Sequence, residues 1–315
     1  MNQQLDPQVA ELLEAIEAAG IPPMHSMSYA EARKFYEQST EKVAGDLPAG
    51  ELLVNEQTLA TSYPLRARIY RKLDKTEDKQ ACLIYFHGGG WCIGSLDSHD
   101  HVCRWLAINS GVTVISVDYR LAPEHKFPTA VEDAYAACKW ITENAEELNI
   151  DAERIAIGGD SAGGNLSAVV CLLARDLSSM CFCCQVLIYP ATDMLMRYPS
   201  HAQNGDGYRL TRSLINWFVN GYLRDGEDMN DMRASPLLAS SHAGLPPAYI
   251  STAGFDPLKD EGRAYADKLS ESGVDVHYQC YEGMMHGFIA MPGAIDMAGT
   301  ALSDAAAYLK KYLSA

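Results

Sequence analysis

Lysine and arginine are in the minority in this sequence. Its 25 basic residues are outnumbered by 41 acidic ones, and the formal net charge is −16. Without a basic patch there is no electrostatic footprint for nucleic acid or for an anionic membrane surface. Long apolar runs are also missing, none approaching the ~20 residues that cross a bilayer, so neither nucleic acid nor membrane is expected as a partner. The opening MNQQLDPQVAELLEAIEAAG lacks the basic segment and apolar stretch of a secretory signal and reads as an amphipathic helix. A disulfide framework is absent too. Nine cysteines are an odd number in 315 residues, and Cys82, Cys138, Cys171 and Cys280 fall inside strand-like or helix-like runs. Buried, reduced thiols in a cytoplasmic protein are the expectation. The one tight cysteine cluster, CFCC at 181–184, leads straight into the strand-like QVLIY and is not read as a metal site. There is no GxGxxG and no glycine loop followed by Lys-Ser/Thr, so no nucleotide is expected and no cofactor is called for.

What is present is an ordinary globular composition, 48% hydrophobic and 21% charged, long enough for one large core with a smaller accessory piece. Apolar strand-like runs recur at 82–86, 112–118, 154–158, 185–189, 248–252 and 276–281, and the stretch near 51–71 offers edge strands. Helix-like segments fall between most of them: HVCRWLAINS, AVEDAYAACKWITENAEEL, NLSAVVCLLARDL and EGRAYADKLSESG. That alternation predicts an α/β fold, a mostly parallel sheet with helices on both faces. Residues 1–45 and 196–234 do not fit it. As insertions beyond strand ends they form a helical cap, which leaves 46–195 and 235–315 as the two parts of the core.

Two glycine clusters stand at strand ends. In IAIGGDSAGGNLSAVV (155–170) a buried strand passes into a helix within a couple of residues, and Ser161 sits in the turn between Gly159 and Gly163. So abrupt a turn strains the serine and leaves no room for side chains beside it. A hydroxyl held this way projects above the carboxyl end of the sheet at a helix N-terminus, the form of a nucleophile elbow. Upstream, CLIYF runs directly into His87-Gly88-Gly89-Gly90-Trp91. Three successive glycines cost backbone entropy and bare the N–H groups, as a site that receives a developing negative oxygen requires.

The segments YFHGGGWCIGS, VDYRLAPEHKFPTAVEDA, GGDSAGGNLSA, LIYPATD, GFDPLKDEG and MMHGF, in this order, resemble the hormone-sensitive lipase-like branch of the α/β-hydrolase esterases over nearly the whole chain. The resemblance is weakest over 1–45 and 196–234, where such enzymes carry a variable cap. It implies Ser161 as nucleophile, His286 as base and Asp256 as the orienting acid, with Gly88, Gly89 and Ala162 supplying oxyanion N–H groups. It also makes the Ala122-Pro123 and Phe127-Pro128 bonds candidates for the cis form, and a homodimer would be in keeping with such relatives.

The residues read by themselves point the same way. A serine needs a base within hydrogen-bond reach. Of nine histidines, His286 follows the last strand in a short glycine-flanked loop, while His277 lies inside a strand. His99 and His101, with Asp97 and Asp100, read as a helix start, and His87 as a brace for the glycine loop. Asp256 directly follows a strand. Asp260 and Glu261 open the next helix, and Asp193, after YPAT, is the competing acid. Asp160 is expected to hydrogen-bond backbone and hold the elbow. Trp91, Tyr189 and Phe288 flank the motifs and are candidate lining of a substrate pocket. The expected activity is hydrolysis of short-to-medium acyl esters through an acyl-enzyme. An amidase or acyltransferase on the same three residues is the alternative within catalysis. Outside it stands a ligand-binding protein on the same fold, against which the presence of His286 argues.

Overall fold

The computed structural model describes residues 4–73 and 79–314. The apolar runs become β1 (Leu52–Leu59), β2 (Leu65–Lys72), β3 (Gln80–Phe86), β4 (Thr113–Asp118), β5 (Ile150–Asp160), β6 (Gln185–Ile188), β7 (Ala248–Phe255) and β8 (Val276–Met285). They form one eight-stranded sheet in the order β1-β2-β4-β3-β5-β6-β7-β8. The expected edge strands are there, and β2 is antiparallel to both of its neighbours. From β4 to β8 every pairing is parallel.

Both faces of the sheet are covered, which is why its inner strands read as continuous apolar runs rather than as alternating ones. Along β3, Cys82, Ile84 and Phe86 join one core with α4 (Thr129–Glu143), α5 (Ala162–Asp176) and α8 (Lys259–Glu271). The intervening Leu83 and Tyr85 join the other, with α3 (Asp100–Ser110) and α9 (Asp296–Leu313). The sequence patterning reached all of these helices except α9. That helix lies beyond the last strand, where strand–helix alternation gives no reason to expect one, and it packs against α3.

The segment 97–101 does open a helix. Asp97 and Asp100 reach Arg68 at 2.7 and 3.2 Å, Asp100 also accepts from Arg104 at 2.6 Å, and His101 accepts the Trp105 indole N–H at 3.0 Å. His277 lies in β8 with its ring stacked on Tyr249. The Ala122-Pro123 and Phe127-Pro128 bonds are both cis, and all nine cysteines are free thiols. No helix of the described residues is long and apolar enough to cross a membrane.

Outside the alternation lie α1 (Pro7–Ala18), α2 (Tyr29–Val43), α6 (Ser200–Gln203) and α7 (Arg212–Tyr222). The N-cap Ser28 accepts from the Glu31 N–H while the Glu31 carboxylate accepts from Ser28, a reciprocal box that starts α2. Tyr29 stacks on Trp217 with centroids 4.0 Å apart and donates to the Trp217 carbonyl, which ties α2 to α7. The two segments expected to work together are therefore in direct contact.

Ile84 is fully buried between both helical layers, whereas Leu53 on the edge strand is 44% exposed. Ile84→Ala should lower unfolding free energy by about 2–5 kcal/mol through lost burial and an unfilled cavity, and Leu53→Ala by no more than about 0.5 kcal/mol. Chemical denaturation of both variants tests whether the sheet centre carries the stability, and equal losses would refute it.

Candidate active site

The parallel strands bring three sequence-distant residues to one edge of the sheet. Ser161 follows β5 directly, Asp256 follows β7 and His286 follows β8. Their side chains form a continuous chain of hydrogen bonds. His286 Nδ1 lies 2.7 Å from Asp256 Oδ2, and His286 Nε2 lies 2.9 Å from Ser161 Oγ. With Nδ1–H donating to the carboxylate, Nε2 is left to accept from the serine hydroxyl. Asp256 is wholly buried, and its other oxygen accepts the Leu258 N–H at 2.8 Å, so the carboxylate is held from both sides.

Ser161 has φ 55 and ψ −116, a strained conformation for a non-glycine residue. The close approach that demands glycine beside it is explicit. A Cβ on Gly163 would stand 1.8 Å from the Phe86 carbonyl oxygen, and one on Gly159 2.3 Å from the same atom. The elbow is thus pressed onto the end of β3, where the second glycine cluster begins.

The competing acids stand elsewhere. The buried Asp193 carboxylate meets Arg197 at 2.9 Å and accepts the Leu195 N–H. Asp260 accepts the Ser200 N–H at 2.9 Å. Glu261 is more than a helix-start acid. It is fully buried, its Oε1 accepts the N–H groups of Thr192 and Asp193, and its Oε2 meets His201 Nε2 at 2.6 Å. Burial raises its pKa, against the lowering effect of His201.

Asp160 holds backbone, as expected, and it does so across two loops. Its Oδ1 accepts the Gly88 N–H at 3.0 Å and the Tyr85 hydroxyl at 2.7 Å, and its Oδ2 lies 3.3 Å from His99 Nε2. Burial by itself would raise this carboxyl, but the adjoining His99 holds it below its ordinary value. This contact corrects the expected oxyanion set. The Gly88 N–H is turned to Asp160 and is spent within the protein. Among the described residues the N–H groups of Gly89, Gly90 and Ala162 have no protein acceptor, and Gly89 and Gly90, not Gly88, line the cavity above Ser161.

That cavity has a volume of about 1190 Å³, with Ser161 and His286 in its wall. Met194, Leu214, Ile215, Phe218 and Val219 make one apolar side, and α1 and α2 contribute Leu12, Leu13 and Tyr36. Trp91 lines it, with φ 60 and its indole stacked on Tyr222. Tyr189 and Phe288 do not, which corrects their expected place. Tyr189 packs against the His286 ring with centroids 4.5 Å apart, and Phe288 packs behind Tyr189. They stand behind the imidazole because the strand ends they follow turn them into the core. Nothing in the sequence marked Tyr36, Arg209 or the His201–Glu261 pair as belonging to this site.

Three comparisons with known proteins agree on the fold and on the family. Residues 83–290 match the model of a family described as having the α/β-hydrolase fold. The chain is 40% identical to an ethyl acetate hydrolase of Pseudomonas putida over 98% of its own length and 99% of that protein's. It is 38% identical to an arylesterase of Saccharolobus solfataricus over 91% of its own length and 93% of that protein's. Among solved structures, an ester hydrolase from the metagenome of Lake Arreo, in complex with a bipyridine phosphonate derivative, superposes with a TM-score of 0.96 at 41% identity, covering 99% of this chain and 100% of that one.

His87, at the head of the glycine loop, donates from Nδ1 to the Gly88 carbonyl and stacks on Tyr119, and burial followed by the neighbouring His99 pushes its pKa down to about 4. In the unfolded chain a histidine titrates near about 6.5. Between those values the unfolded state binds a proton that the folded state refuses, so this part of the stability is complete above about pH 6.5 and is lost as pH falls toward about 4. The melting temperature should fall across that window, and fall less steeply in His87→Gln. Parallel slopes for the two proteins would assign the loss to other groups.

Proposed function

The chain belongs to the α/β-hydrolase family, in its hormone-sensitive lipase-like group, and hydrolyses carboxylic esters; from that premise we propose that Ser161, His286 and Asp256 carry the reaction. Ser161 Oγ attacks the ester carbonyl carbon as His286 Nε2 takes the hydroxyl proton, and the carbonyl π electrons move to oxygen. The oxyanion is received by the N–H groups of Gly89, Gly90 and Ala162. A single well-placed donor of this kind is worth roughly 10²–10³ in turnover. Collapse of the tetrahedral intermediate breaks the bond to the alcohol oxygen, which leaves with the proton from His286 and gives the acyl-enzyme. Water then adds to the acyl carbon with its proton passing to His286. The second intermediate expels Ser161 Oγ, which regains that proton, and the carboxylic acid departs. Asp256 fixes the imidazole tautomer and stabilises the imidazolium formed in each half.

The observation that carries this reading is the unbroken hydrogen-bond chain from Asp256 through His286 to the strained Ser161 in the wall of an open cavity. We further read residues 1–45 and 196–234 as a cap that sizes the cavity for short-to-medium acyl esters. Its apolar side of Met194, Leu214, Ile215, Phe218 and Val219 supports an apolar acyl or alcohol group.

An activated alkyl phosphonate should modify Ser161 once per chain, with peptide mapping locating the adduct, and Ser161→Ala should take up none. In the same preparation Asp256→Asn should lose turnover by roughly 10⁴, as loss of the correct tautomer does in serine proteases. Asp193→Asn, which disturbs only the Arg197 pair, should keep most of its activity. A dead Asp193→Asn beside an active Asp256→Asn would move the acid to the end of β6.

A further inference from the structure

The buried acids around the cavity are all bonded, whereas the half-buried Arg209 meets no acid among the described residues. Asp160, Asp193 and Glu261 are held by the partners described above, Asp206 is exposed and accepts the Gly207 N–H, and Glu14 and Glu17 are exposed on α1. Of the basic residues in the cavity wall, Lys42 and Arg212 are exposed, whereas Arg209 is half-buried. Among the described residues its guanidinium has neither a carboxylate nor a carbonyl partner, and its one hydrogen-bond contact there is Nη1 to the Met291 thioether sulfur at 3.7 Å, a weak acceptor. The Tyr36 ring also lies beside it, with its centroid 5.8 Å away.

The chain goes to some length to keep the arginine there. Arg209 has φ 28, a conformation few non-glycine residues adopt, and the chain on either side of it is held in the fold. On one side Tyr208 packs against Phe255 at the end of β7. On the other Leu210 is buried and Thr211 caps α7. Room for the guanidinium comes from Gly287, next to His286. With φ 82, that glycine places the point where a Cβ would stand only 3.1 Å from Arg209 Nη1. A half-buried guanidinium lacking an acid is thus fixed one residue from the imidazole that faces Ser161.

We propose that Arg209 is a substrate subsite for a carboxylate, so that the preferred esters are anionic, with the carboxylate on the acyl or the alcohol part a few bonds from the scissile carbonyl. This rests on the hydrolase reading above. A planar guanidinium binds a carboxylate through two parallel N–H···O bonds, and the apolar side of the cavity formed by Met194, Leu214, Ile215, Phe218 and Val219 offers a carboxylate no competing donor. The carboxylate would supply the partner the protein withholds from Arg209.

The test compares kcat/KM for matched anionic and neutral esters. One pair is mono-4-nitrophenyl glutarate against 4-nitrophenyl pentanoate, with the carboxylate on the acyl part. The other is 4-acetoxybutanoate against butyl acetate, with it on the alcohol. In at least one pair, Arg209→Gln should lower the anionic-to-neutral ratio about tenfold to a hundredfold. Arg209→Lys should restore part of it, Arg212→Gln should leave it within about twofold, and added salt should erode the wild-type preference. Ratios that are the same in wild type and Arg209→Gln for both pairs would overturn the subsite while leaving the hydrolase intact. Failure of the wild type to turn over any of the neutral esters, with no phosphonate adduct at Ser161, would overturn the hydrolase reading itself.

Discussion

The arrangement of the site depends on one buried carboxylate. Asp160 is the last residue of β5, next to Ser161, and it binds the first N–H of the glycine loop that follows β3. A buried charge without partners costs several kcal/mol. This one is kept ionised by the Tyr85 hydroxyl, the Gly88 N–H and the adjoining His99. Gly88 is anchored there, and the next two residues, Gly89 and Gly90, line the cavity. The same contact fixes the separation of the two glycine clusters, which the close approach of Gly159 and Gly163 to the Phe86 carbonyl sets from the other direction. A serine and a set of donors from strands 70 residues apart in sequence thereby become one rigid unit.

The sheet does the rest by direction alone. Parallel strands all end on one side, so a serine, an aspartate and a histidine placed one residue beyond β5, β7 and β8 arrive at the same edge without any long loop to position them. The pairing of Phe255 with Met285 brings Asp256 and His286, the residues that follow them, side by side. What the sheet does not provide is a roof. That comes from α2 and α7, tied together by the Tyr29–Trp217 stack, and these elements bring to the cavity the residues that distinguish this chain from a bare core.

Much of this was legible in the residues, and the part that was not has a physical pattern. A strand running into Gly-x-Ser-x-Gly or His-Gly-Gly-Gly is visible because the constraint is local, a turn too tight for side chains. The strands were visible because burial on both faces leaves unbroken apolar runs. Gly88 against Gly90 could not be read off, since which amide faces the cavity depends on a carboxylate 72 residues away. Tyr189 and Phe288 likewise sit beside motif residues in sequence but behind His286 in space. Glu261 occupies the first turn of α8, where an acid commonly serves the helix dipole. Its burial against Thr192 and His201 is a tertiary fact that a helical pattern does not encode.

Charge shows the same separation between what a sum records and what a site experiences. A formal charge of −16 suggests a molecule that repels anions. Yet charges farther than ~8 Å are largely screened at physiological salt, while two opposite charges 4 Å apart attract by about 4 kcal/mol at the effective dielectric near a protein surface. The nearest groups therefore decide the sign of the field. In the cavity wall the buried acids are consumed one by one. Asp160 is taken by a loop amide, Asp193 by Arg197, and Glu261 by His201 and two N–H groups. Each already has hydrogen-bond partners within about 3 Å. The half-buried charge that meets no opposite charge there among the described residues is a positive one, close to the histidine, in a protein whose net charge is negative. A net charge describes how the molecule meets the solvent; the few ångströms around Arg209 describe how it meets a substrate.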